Sequence, residues 1–226
     1  MEFKPCVVIP IYNHGRTVPG IIDKIKAFGI PVILVDDGSA AETKSFLKDL
    51  PSGSNSIFLY TFPENQGKGA AVLYGFARAV EKGYTHAVQF DADAQHTIDD
   101  IPLFLDQAKA SPQSLINGTP VYDSTVPKKR LYGRKITTFW VWIETLSLTI
   151  KDAMCGFRVY PLSSTSELVN KVSIQKRMGF DIDIIVRLFW QGLDIINVPT
   201  KVIYPPDGIS NFDLLKDNII ITKLHT

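Results

Sequence analysis

The segment FDADAQH, residues 90–96, carries the side chains best suited to chemistry in this sequence. Asp91 and Asp93 follow an apolar run that is typical of a buried strand. Carboxylates at alternate positions point to opposite sides of a regular strand, but both can converge on one hard cation where the strand ends and the chain turns. Gln95 adds a third oxygen, and His96 adds a donor or a nitrogen ligand. The pattern favours a divalent metal site, although these residues could instead cap a following helix.

A second acidic pair, Asp36 and Asp37, follows the apolar run of residues 32–35. One of these carboxylates could accept hydrogen bonds from a nucleoside base or a ribose hydroxyl. Taken alone, the pair is more typical of an Asp-Gly turn in which Ser39 caps the next helix. The two interpretations differ in whether Asp37 contacts a ligand.

The first apolar run, residues 6–11, also ends in polar side chains, at Tyr12 and Asn13. Parallel strands of an open sheet have their carboxyl ends at one edge, where ligands bind. Three successive strands with polar ends therefore predict one shared site that includes Asp37 and Asp91.

The glycine-rich segment NQGKG, residues 65–69, carries Lys68 directly before a predicted helix. Such a segment favours an anion held by backbone N–H groups at a helix N-terminus. The spacing is not that of the nucleotide-binding P-loop, and Ala70 cannot ligate magnesium. The sequence also lacks the glycine fingerprint of dinucleotide-binding oxidoreductases and the Gly-x-Ser-x-Gly elbow of serine hydrolases.

Composition is typical of an ordinary globular protein. The 226 residues are 45% hydrophobic and 21% charged, and the formal net charge is +1. A nearly neutral chain has no global field for a polyanion, so we expect no nucleic-acid partner. The two cysteines, Cys6 and Cys155, have no metal-ligand spacing and are predicted core thiols. We expect neither a secretory leader nor a membrane-spanning helix, and a cytoplasmic location.

Apolar strands alternate with amphipathic helices in the first half of the chain, which predicts an α/β fold with a largely parallel central sheet flanked by helices. Strands are predicted at residues 6–11, 32–35, 57–62, 86–90, 114–117, 156–161 and 195–204, and helices at 18–28, 69–81, 98–110 and 181–191. Residues 119–129 are predicted to form a loop.

Residues 131–150 have a helical apolar pattern with a basic start. One predicted face carries Ile136, Phe139, Trp140, Ile143, Ser147 and Ile150, with Trp142 and Leu146 widening it. The stripe could pack on the sheet, with Lys128, Lys129 and Arg130 merely solvated. Alternatively, the stripe could lie in a membrane interface while the basic residues meet anionic head groups.

In this order and spacing, the segments resemble the inverting family 2 glycosyltransferases of GT-A fold, especially the polyprenol-phosphate (dolichol-phosphate) mannose synthase branch. The resemblance covers residues 5 to about 162 and is carried by VIPIYN (8–13), VDDGS (35–39), NQGKG (65–69), DADAQH (91–96) and DAMCGFR (152–158). Residues 128–148 and 201–212 further resemble a small bacterial subgroup found with envelope-lipid or aryl-polyene pathway enzymes. The resemblance implies one catalytic domain over 1–226, with a nucleotide-sugar-binding half (1–118) and an acceptor-binding half (119–226).

The resemblance also implies roles for individual residues. The nucleoside would be held by Pro10, Tyr12, Asn13 and Asp37. Mg²⁺ or Mn²⁺, bridging the donor diphosphate, would be bound by Asp91, Asp93 and Gln95, with Asp91 also near the ribose. Basic residues near the phosphates would be Lys68, Arg130 and Arg134.

The implied reaction moves a sugar from a UDP- or GDP-sugar to an acceptor, which we expect to be a lipid phosphate at the inner face of the cytoplasmic membrane. A phosphate acceptor is already ionised at neutral pH and needs no base. A hydroxyl acceptor needs a carboxylate, for which Asp152 is the first candidate, ahead of Asp181 and Asp183.

Two alternatives belong to other functional classes. A sugar nucleotidyltransferase usually has a glycine-rich basic loop directly after the first strand, where this chain has YNHG, residues 12–15. A non-catalytic nucleotide-sugar-binding or scaffold protein would be favoured by loss of the Asp91 and Asp93 pair, which is intact.

Overall fold

The computed structural model describes residues 2–52, 54–122 and 128–202, and for residues 128–130 it describes the backbone only. The strands are β1 (Pro5–Ile11), β2 (Val32–Asp36), β3 (Ile57–Thr61), β4 (His86–Gln89), β5 (Leu115–Tyr122), β6 (Arg158–Pro161) and β7 (Ile195–Val202). The helices are α1 (Val18–Lys26), α2 (Ala41–Leu47), α3 (Lys68–Glu81), α4 (Ile101–Ala110), α5 (Lys128–Thr145), α6 (Leu162–Lys171) and α7 (Phe180–Trp190). A 3-10 turn, Ile98–Asp100, precedes α4.

The seven strands form one sheet in the order β3-β2-β1-β4-β6-β5-β7. Strands β1 to β4 pair in parallel, and β5 pairs in parallel with β7. Strand β6 lies between β4 and β5 and is antiparallel to both. The predicted α/β fold with a mostly parallel sheet is therefore confirmed, and the carboxyl ends of β1, β2 and β4 meet at one edge.

Buried side chains alternate between the two faces of the sheet, as expected for strands covered on both sides. Val8 and Val35 join the core with α3 and α7, whereas Val7 and Ile9 join the core with α1 and α4. Helix α3 approaches the sheet closely because Gly75 has no Cβ to collide with the Val8 side chain. Both cysteines are buried free thiols, as predicted.

The predicted loop over residues 119–129 is wrong at both ends. Strand β5 continues through Pro120 to Tyr122, and α5 already begins at Lys128. Strand β6 pairs with β5 only at Ile116 and Asn117, so Pro120 lies where β5 has a partner on one side only. A proline, which has no backbone N–H to donate, is tolerated there because no second neighbouring strand requires that hydrogen bond.

Two helices were given no residue range from the sequence: a helix was expected after Ser39 without bounds, and the helix at Leu162–Lys171 was not expected. Helix α2 has only seven residues and α6 has a polar sequence, LSSTSELVNK. Their apolar contribution to the core is small, with Leu47 buried in α2 and Leu162 and Leu168 buried in α6. Short or polar helices give a weak periodic pattern, which is why the sequence did not define their bounds.

Helix α5 exposes the apolar side that would be buried if the stripe packed on the sheet. Ile136 is 60% exposed and Trp140 44%, and both Phe139 and Ile143 are exposed as well. The prediction that Ile150 continues this face is wrong, because α5 ends at Thr145 and Ile150 is buried.

The inward side of α5 consists of small side chains. Thr137, Thr138, Val141 and Thr145 are all buried. Trp142 is half-buried and is fixed inward by an Nε1 hydrogen bond to the Ile150 carbonyl at 2.8 Å. Among the described residues, no helix has both the length and the apolarity needed to cross a bilayer.

Candidate functional site

The acidic turn after β4 contains a carboxylate oxygen with no partner. Asp91 accepts a hydrogen bond from Lys68 Nζ at 2.8 Å through Oδ2, while Oδ1 is buried and unsatisfied. Gly156 packs directly on this carboxylate, and a Cβ at position 156 would collide with it. A buried oxygen without a donor costs free energy unless a ligand satisfies it. The unpaired Oδ1 of Asp91 is therefore a candidate ligand atom for a group that is not part of the chain.

Asp93 shapes the same turn. Its Oδ1 accepts the Gln95 backbone N–H at 3.0 Å, and Ala94 has a φ of 58°. A left-handed alanine costs about 1 kcal/mol, which this hydrogen bond and the surrounding packing must offset. The turn keeps Asp93 and Gln95 at the sheet edge, directly after Asp91.

The donor set of this turn fits a hard cation only with help from a ligand. Among residues 2–52, 54–122 and 128–202, no group of three His, Cys, Asp or Glu side chains is arranged to hold a metal. Two carboxylates and one amide oxygen leave a site that a diphosphate would complete. The free Oδ1 of Asp91 is consistent with such a shared site.

Lys68 lies between two carboxylates. Its Nζ is 2.8 Å from Asp91 Oδ2 and 2.7 Å from Asp181 Oδ2. Burial opposes the charge on Lys68, but the two carboxylates outweigh it and raise the lysine pKa. Burial raises the pKa of Asp91 to about 6 despite Lys68, with Asp181 and Asp93 adding to the rise. The ammonium is thus committed to an ion network instead of facing an open anion site.

Asp181 is held on its other side by the protein interior. Its Oδ1 accepts from Gln89 Nε2 at 2.8 Å, and Gln89 in turn accepts from the Tyr160 hydroxyl at 3.1 Å. Burial alone would raise the pKa of Asp181, but Lys68 and Arg158 outweigh burial and lower it. Asp181 is therefore a fixed anion, which does not suit a general base.

Asp37 anchors the glycine-rich segment. Its Oδ1 accepts the Gln66 N–H at 2.7 Å, and its Oδ2 accepts the Gly67 N–H and Asn65 Nδ2, both at 2.9 Å. Burial raises the pKa of Asp37, which the Gln66 and Gly67 bonds and nearby Arg177 oppose. The structure brings these two motifs together, but three of the hydrogen bonds that Asp37 can accept go to the protein itself.

Close backbone approach makes this anchoring possible. Gly38 has a φ of 69°, and a Cβ there would collide with the backbone of Glu64. The neighbouring Asp36 accepts the Ser39 N–H at 3.0 Å through Oδ1, while its Oδ2 is buried without a partner.

The end of β1 is tied to the start of α2. Asn13 donates its backbone N–H to Ser39 Oγ at 3.0 Å, and its Oδ1 accepts the Ala40 N–H at 2.9 Å. The prediction that Ser39 caps the next helix is therefore wrong, because its hydroxyl serves Asn13 and the N-cap residue is Ala40. Pro10 is buried, whereas Tyr12 is 37% exposed at the sheet edge.

Arg134 and Asp152 form a two-bond ion pair. Arg134 Nε and Nη2 lie 2.9 and 2.7 Å from the two Asp152 oxygens, and the Met154 N–H also donates to Asp152 at 2.9 Å. Both oxygens of the Asp152 carboxylate are therefore occupied by donors from the protein. Asp183 is similarly occupied, by Gln175 N–H and Arg187 Nε. The side chain of Arg130 lies outside the described residues.

His96 links the acidic turn to this ion pair. Its ring lies against Phe90 and Phe157, and its Nδ1 is buried without a partner. Burial lowers the pKa of His96 to about 4, and Asp93, Arg134 and Asp152 all contribute to its electrostatic environment. The half-buried ring is therefore neutral at physiological pH and is influenced by the charges of both the acidic turn and the Arg134 pair.

Comparison with known proteins identifies the family. The profile described as Glycosyl transferase family 2 matches residues 6–176, which is more than half of the chain. The chain belongs to glycosyl transferase family 2. The predicted activity class is thus confirmed, and this glycosyltransferase carries its acidic turn, glycine-rich segment and Arg134 partner Asp152 within the matched range.

Two relatives show the branch. Over 214 residues, the chain is 27% identical to the polyprenol monophosphomannose synthase of Mycolicibacterium smegmatis, covering 90% of this chain and 79% of the relative. It is 25% identical to the UDP-N-acetylglucosamine--dolichyl-phosphate N-acetylglucosaminyltransferase of Methanococcus voltae, covering 88% and 85%. The predicted polyprenol-phosphate branch is confirmed. The narrower subgroup stays a prediction, and most of residues 201–212 lie outside the described residues.

A solved structure shows the fold. The glucosyl-3-phosphoglycerate synthase of Mycobacterium tuberculosis, in complex with Mn²⁺ and uridine-diphosphate-glucose, superimposes with a TM-score of 0.69 at 17% identity. The match covers 98% of this chain and 76% of that chain. The predicted GT-A fold of the glycosyltransferase is confirmed.

Several residues that organise the site were not assigned a role from the sequence. Gln89 fixes Asp181, Gly156 packs on Asp91, and Arg177 donates to Asn65 at 3.2 Å. A polar Gln89 at the end of an apolar strand was a usable signal. Nothing in the sequence around Arg177 connects it with Asn65, 112 positions away.

Arg158 of the motif GFR is a structural residue of the glycosyltransferase. It is completely buried and donates to Asn117 Oδ1, the Tyr160 hydroxyl and the carbonyls of Ala153 and Asp181. No substrate can reach its guanidinium without unfolding this network.

We expect Arg158→Lys to destabilise the protein, because lysine cannot donate to acceptors in four directions. The loss should be at least about 3 kcal/mol in the free energy of unfolding, the scale of two hydrogen bonds from a charged group. Urea denaturation measures it. Arg187→Lys, at a half-buried ion pair on α7, is the control and should lose no more than about 1 kcal/mol. Equal stability of Arg158→Lys and wild type would contradict the structural role.

Proposed function

We propose that this glycosyltransferase moves a sugar from a UDP- or GDP-sugar to a polyprenyl phosphate, with inversion and with Mg²⁺ or Mn²⁺ as cofactor. Residues 1–118 supply the donor site and residues 119–226 the acceptor site. The observation that carries the proposal is the unsatisfied Oδ1 of Asp91 at the shared edge of β1, β2 and β4.

Donor binding follows from the edge geometry. Tyr12 follows β1, Asp37 follows β2 and Asp91 follows β4, all at one edge of the sheet, which supports a nucleoside near Asp37 and the diphosphate near Asp93 and Gln95. A bound Mg²⁺ or Mn²⁺ would neutralise negative charge that develops on the leaving diphosphate. Asp91, Asp93 and Gln95 would hold that ion at the diphosphate.

The acceptor class follows from the state of the carboxylates. The three candidate bases, Asp152, Asp181 and Asp183, each accept hydrogen bonds from a cation and from a neutral donor. A hydroxyl acceptor would require one of them to give up these bonds before taking a proton. A phosphate monoester, with a second pKa of about 6, is already ionised at neutral pH. The names of the relatives, which include polyprenol and dolichyl phosphate, support the same class.

A lipid acceptor explains the outward face of α5. Tyr132, Ile136, Phe139, Trp140 and Ile143 are exposed along the helix. Leu146 and Leu148 extend this surface beyond the helix end and are 92% and 71% exposed, and Trp190 of α7 adjoins it. Exposed aromatic and aliphatic side chains together are typical of an interfacial helix. We infer that this surface, called the α5 surface, rests on the inner face of the cytoplasmic membrane.

Asp93→Ala should lower sugar transfer at least about 100-fold, the scale of losing one electrostatic contact in a transition state. The reason is loss of one ligand from the shared cation site. Nucleoside diphosphate release is measured with UDP- and GDP-sugars, polyprenyl phosphate and Mn²⁺ or Mg²⁺. Asp99→Ala, an exposed aspartate in the next turn, is the matched control and should keep full activity. Undiminished turnover of Asp93→Ala, or of wild type in excess EDTA, would disprove metal dependence.

Asp37→Ala should weaken nucleotide binding by about 1 to 3 kcal/mol, because the loop donors of Gln66 and Gly67 lose their acceptor. Titration calorimetry with UDP and GDP measures the change. Asp49→Ala, at an exposed position after α2, should bind like wild type. If Asp37→Ala also binds like wild type, Asp37 does not belong to the donor site.

The α5 surface should bind vesicles. Wild type should co-sediment with anionic vesicles and weaken with salt, since each basic residue near the surface contributes about 1 kcal/mol. Neutralising Lys128, Lys129 and Arg130 should reduce the electrostatic part, and Phe139→Ser with Ile143→Ser should reduce the apolar part.

Leu103→Ser, at an exposed leucine of α4, is the control for that experiment and should leave vesicle binding unchanged. Wild type that remains in the supernatant with anionic vesicles at low salt would disprove membrane contact. The acceptor would then have to be delivered in another way.

A further inference from the structure

In the buried ion network around Lys68, two carboxylates contact a single ammonium. Lys68 carries one positive charge, and Asp91 and Asp181 contact the same Nζ at 2.8 and 2.7 Å. All three side chains are mostly buried, so water screens their charges weakly. At the edge where the donor diphosphate and its cation are proposed to bind, two carboxylates therefore share one ammonium.

Asp181 is built into this position from the interior. Gln89 donates to the Asp181 Oδ1. Arg158 Nη1 donates to the Asp181 backbone carbonyl at 2.6 Å and so fixes the main chain at this residue. Both contacts come from strands of the sheet, β4 and β6. Asp181 therefore cannot follow Lys68 if the lysine moves, whereas the long lysine side chain can move between the two carboxylates.

This arrangement decides how strongly Lys68 competes for Asp91. With Asp181 present, the ammonium is shared between two carboxylates, and Asp91 keeps Oδ1 free. Without the charge of Asp181, the buried ammonium would have Asp91 as its single anionic partner. A cation that neutralises Asp91 so closely would oppose a divalent ion at the same carboxylate.

We propose that Asp181 is a positioning residue, which draws Lys68 partly away from Asp91 and so keeps the Asp91 carboxylate available and correctly oriented for the metal-bound donor diphosphate. The inference rests on the proposed function. It assigns to Asp181 a role in donor binding, in place of the base role considered from the sequence.

Asp181→Asn tests the charge of this residue while conserving its shape. Mn²⁺ is titrated into the full chain with saturating UDP or GDP, and free Mn²⁺ is measured by electron paramagnetic resonance. The variant should bind Mn²⁺ at least about tenfold more weakly, the scale of losing a residue that orients a metal ligand. Thermal unfolding of the same samples measures whether the fold is intact.

The double variant Lys68→Met with Asp181→Asn separates charge balance from packing. It removes both ends of one buried pair, a change that proteins often tolerate. Mn²⁺ affinity should return to within about threefold of wild type, because the Lys68 ammonium that competes for Asp91 is gone. The effects of the two neighbouring substitutions are therefore not expected to add. This variant also serves if Asp181→Asn alone does not fold. A double variant that folds but binds Mn²⁺ as weakly as expected for Asp181→Asn would overturn the proposal.

Asp183→Asn is the matched control, since Asp183 is equally buried, lies in the same turn of α7 and does not contact Lys68. It should lower thermal stability without changing Mn²⁺ affinity. Equal Mn²⁺ affinity of wild type and Asp181→Asn would overturn this inference and leave the proposed function intact. Failure of wild type to bind Mn²⁺ with either nucleotide would contradict both.

Discussion

The buried charge of Arg158 is the constraint on which the arrangement of this protein depends. A guanidinium removed from water must find acceptors within the protein, or the cost exceeds what the fold can supply. Its acceptors come from the Asn117 side chain of β5, the Ala153 carbonyl of the preceding loop and the Asp181 carbonyl of α7. These three elements therefore cannot shift independently around β6.

This constraint extends to the chemistry at the sheet edge. Asp181 gives its carbonyl to Arg158 and its carboxylate to Lys68, so one residue connects the structural network with the ion network. The loop that ends in Arg158 also carries Gly156 against Asp91 and Asp152 against Arg134. The DAMCGFR motif, residues 152–158, thus acts mainly by positioning Asp91 and Arg134.

The sequence predicts strands β1 to β4 and their shared edge because continuous β-branched runs are a local signal. It also predicts that Asp37, Asp91 and Asp93 follow strand ends, because these positions are a local signal too, while their functional roles stay predictions. It does not predict that Asp37 accepts hydrogen bonds from Asn65, Gln66 and Gly67, because these contacts join residues nearly 30 positions apart. The position of antiparallel β6 between β4 and β5 was not predicted for the same reason, because it depends on pairing with strands that are distant in sequence.

Helix α5 shows a different limit of sequence reasoning. Helical spacing identifies an apolar side, but it does not say whether the core or another apolar phase covers that side. Here the core accepts the small side, with Thr137, Val141 and Thr145, while Ile136 and Phe139 remain outside. Such large side chains gain roughly 1.5 to 3 kcal/mol each when they are fully buried. Because Ile136 and Phe139 are exposed, this stabilisation is absent from the folded chain.

An outward apolar face and occupied carboxylates point to the same kind of acceptor. A soluble hydroxyl acceptor would require a free base and would give α5 no reason to expose Phe139 and Ile143. A lipid phosphate requires neither a base nor an aqueous path, because its charge is already present and its chain remains in the membrane. Under the proposed function, Arg134 would meet that phosphate, and its ion pair with Asp152 would hold the guanidinium in position beforehand.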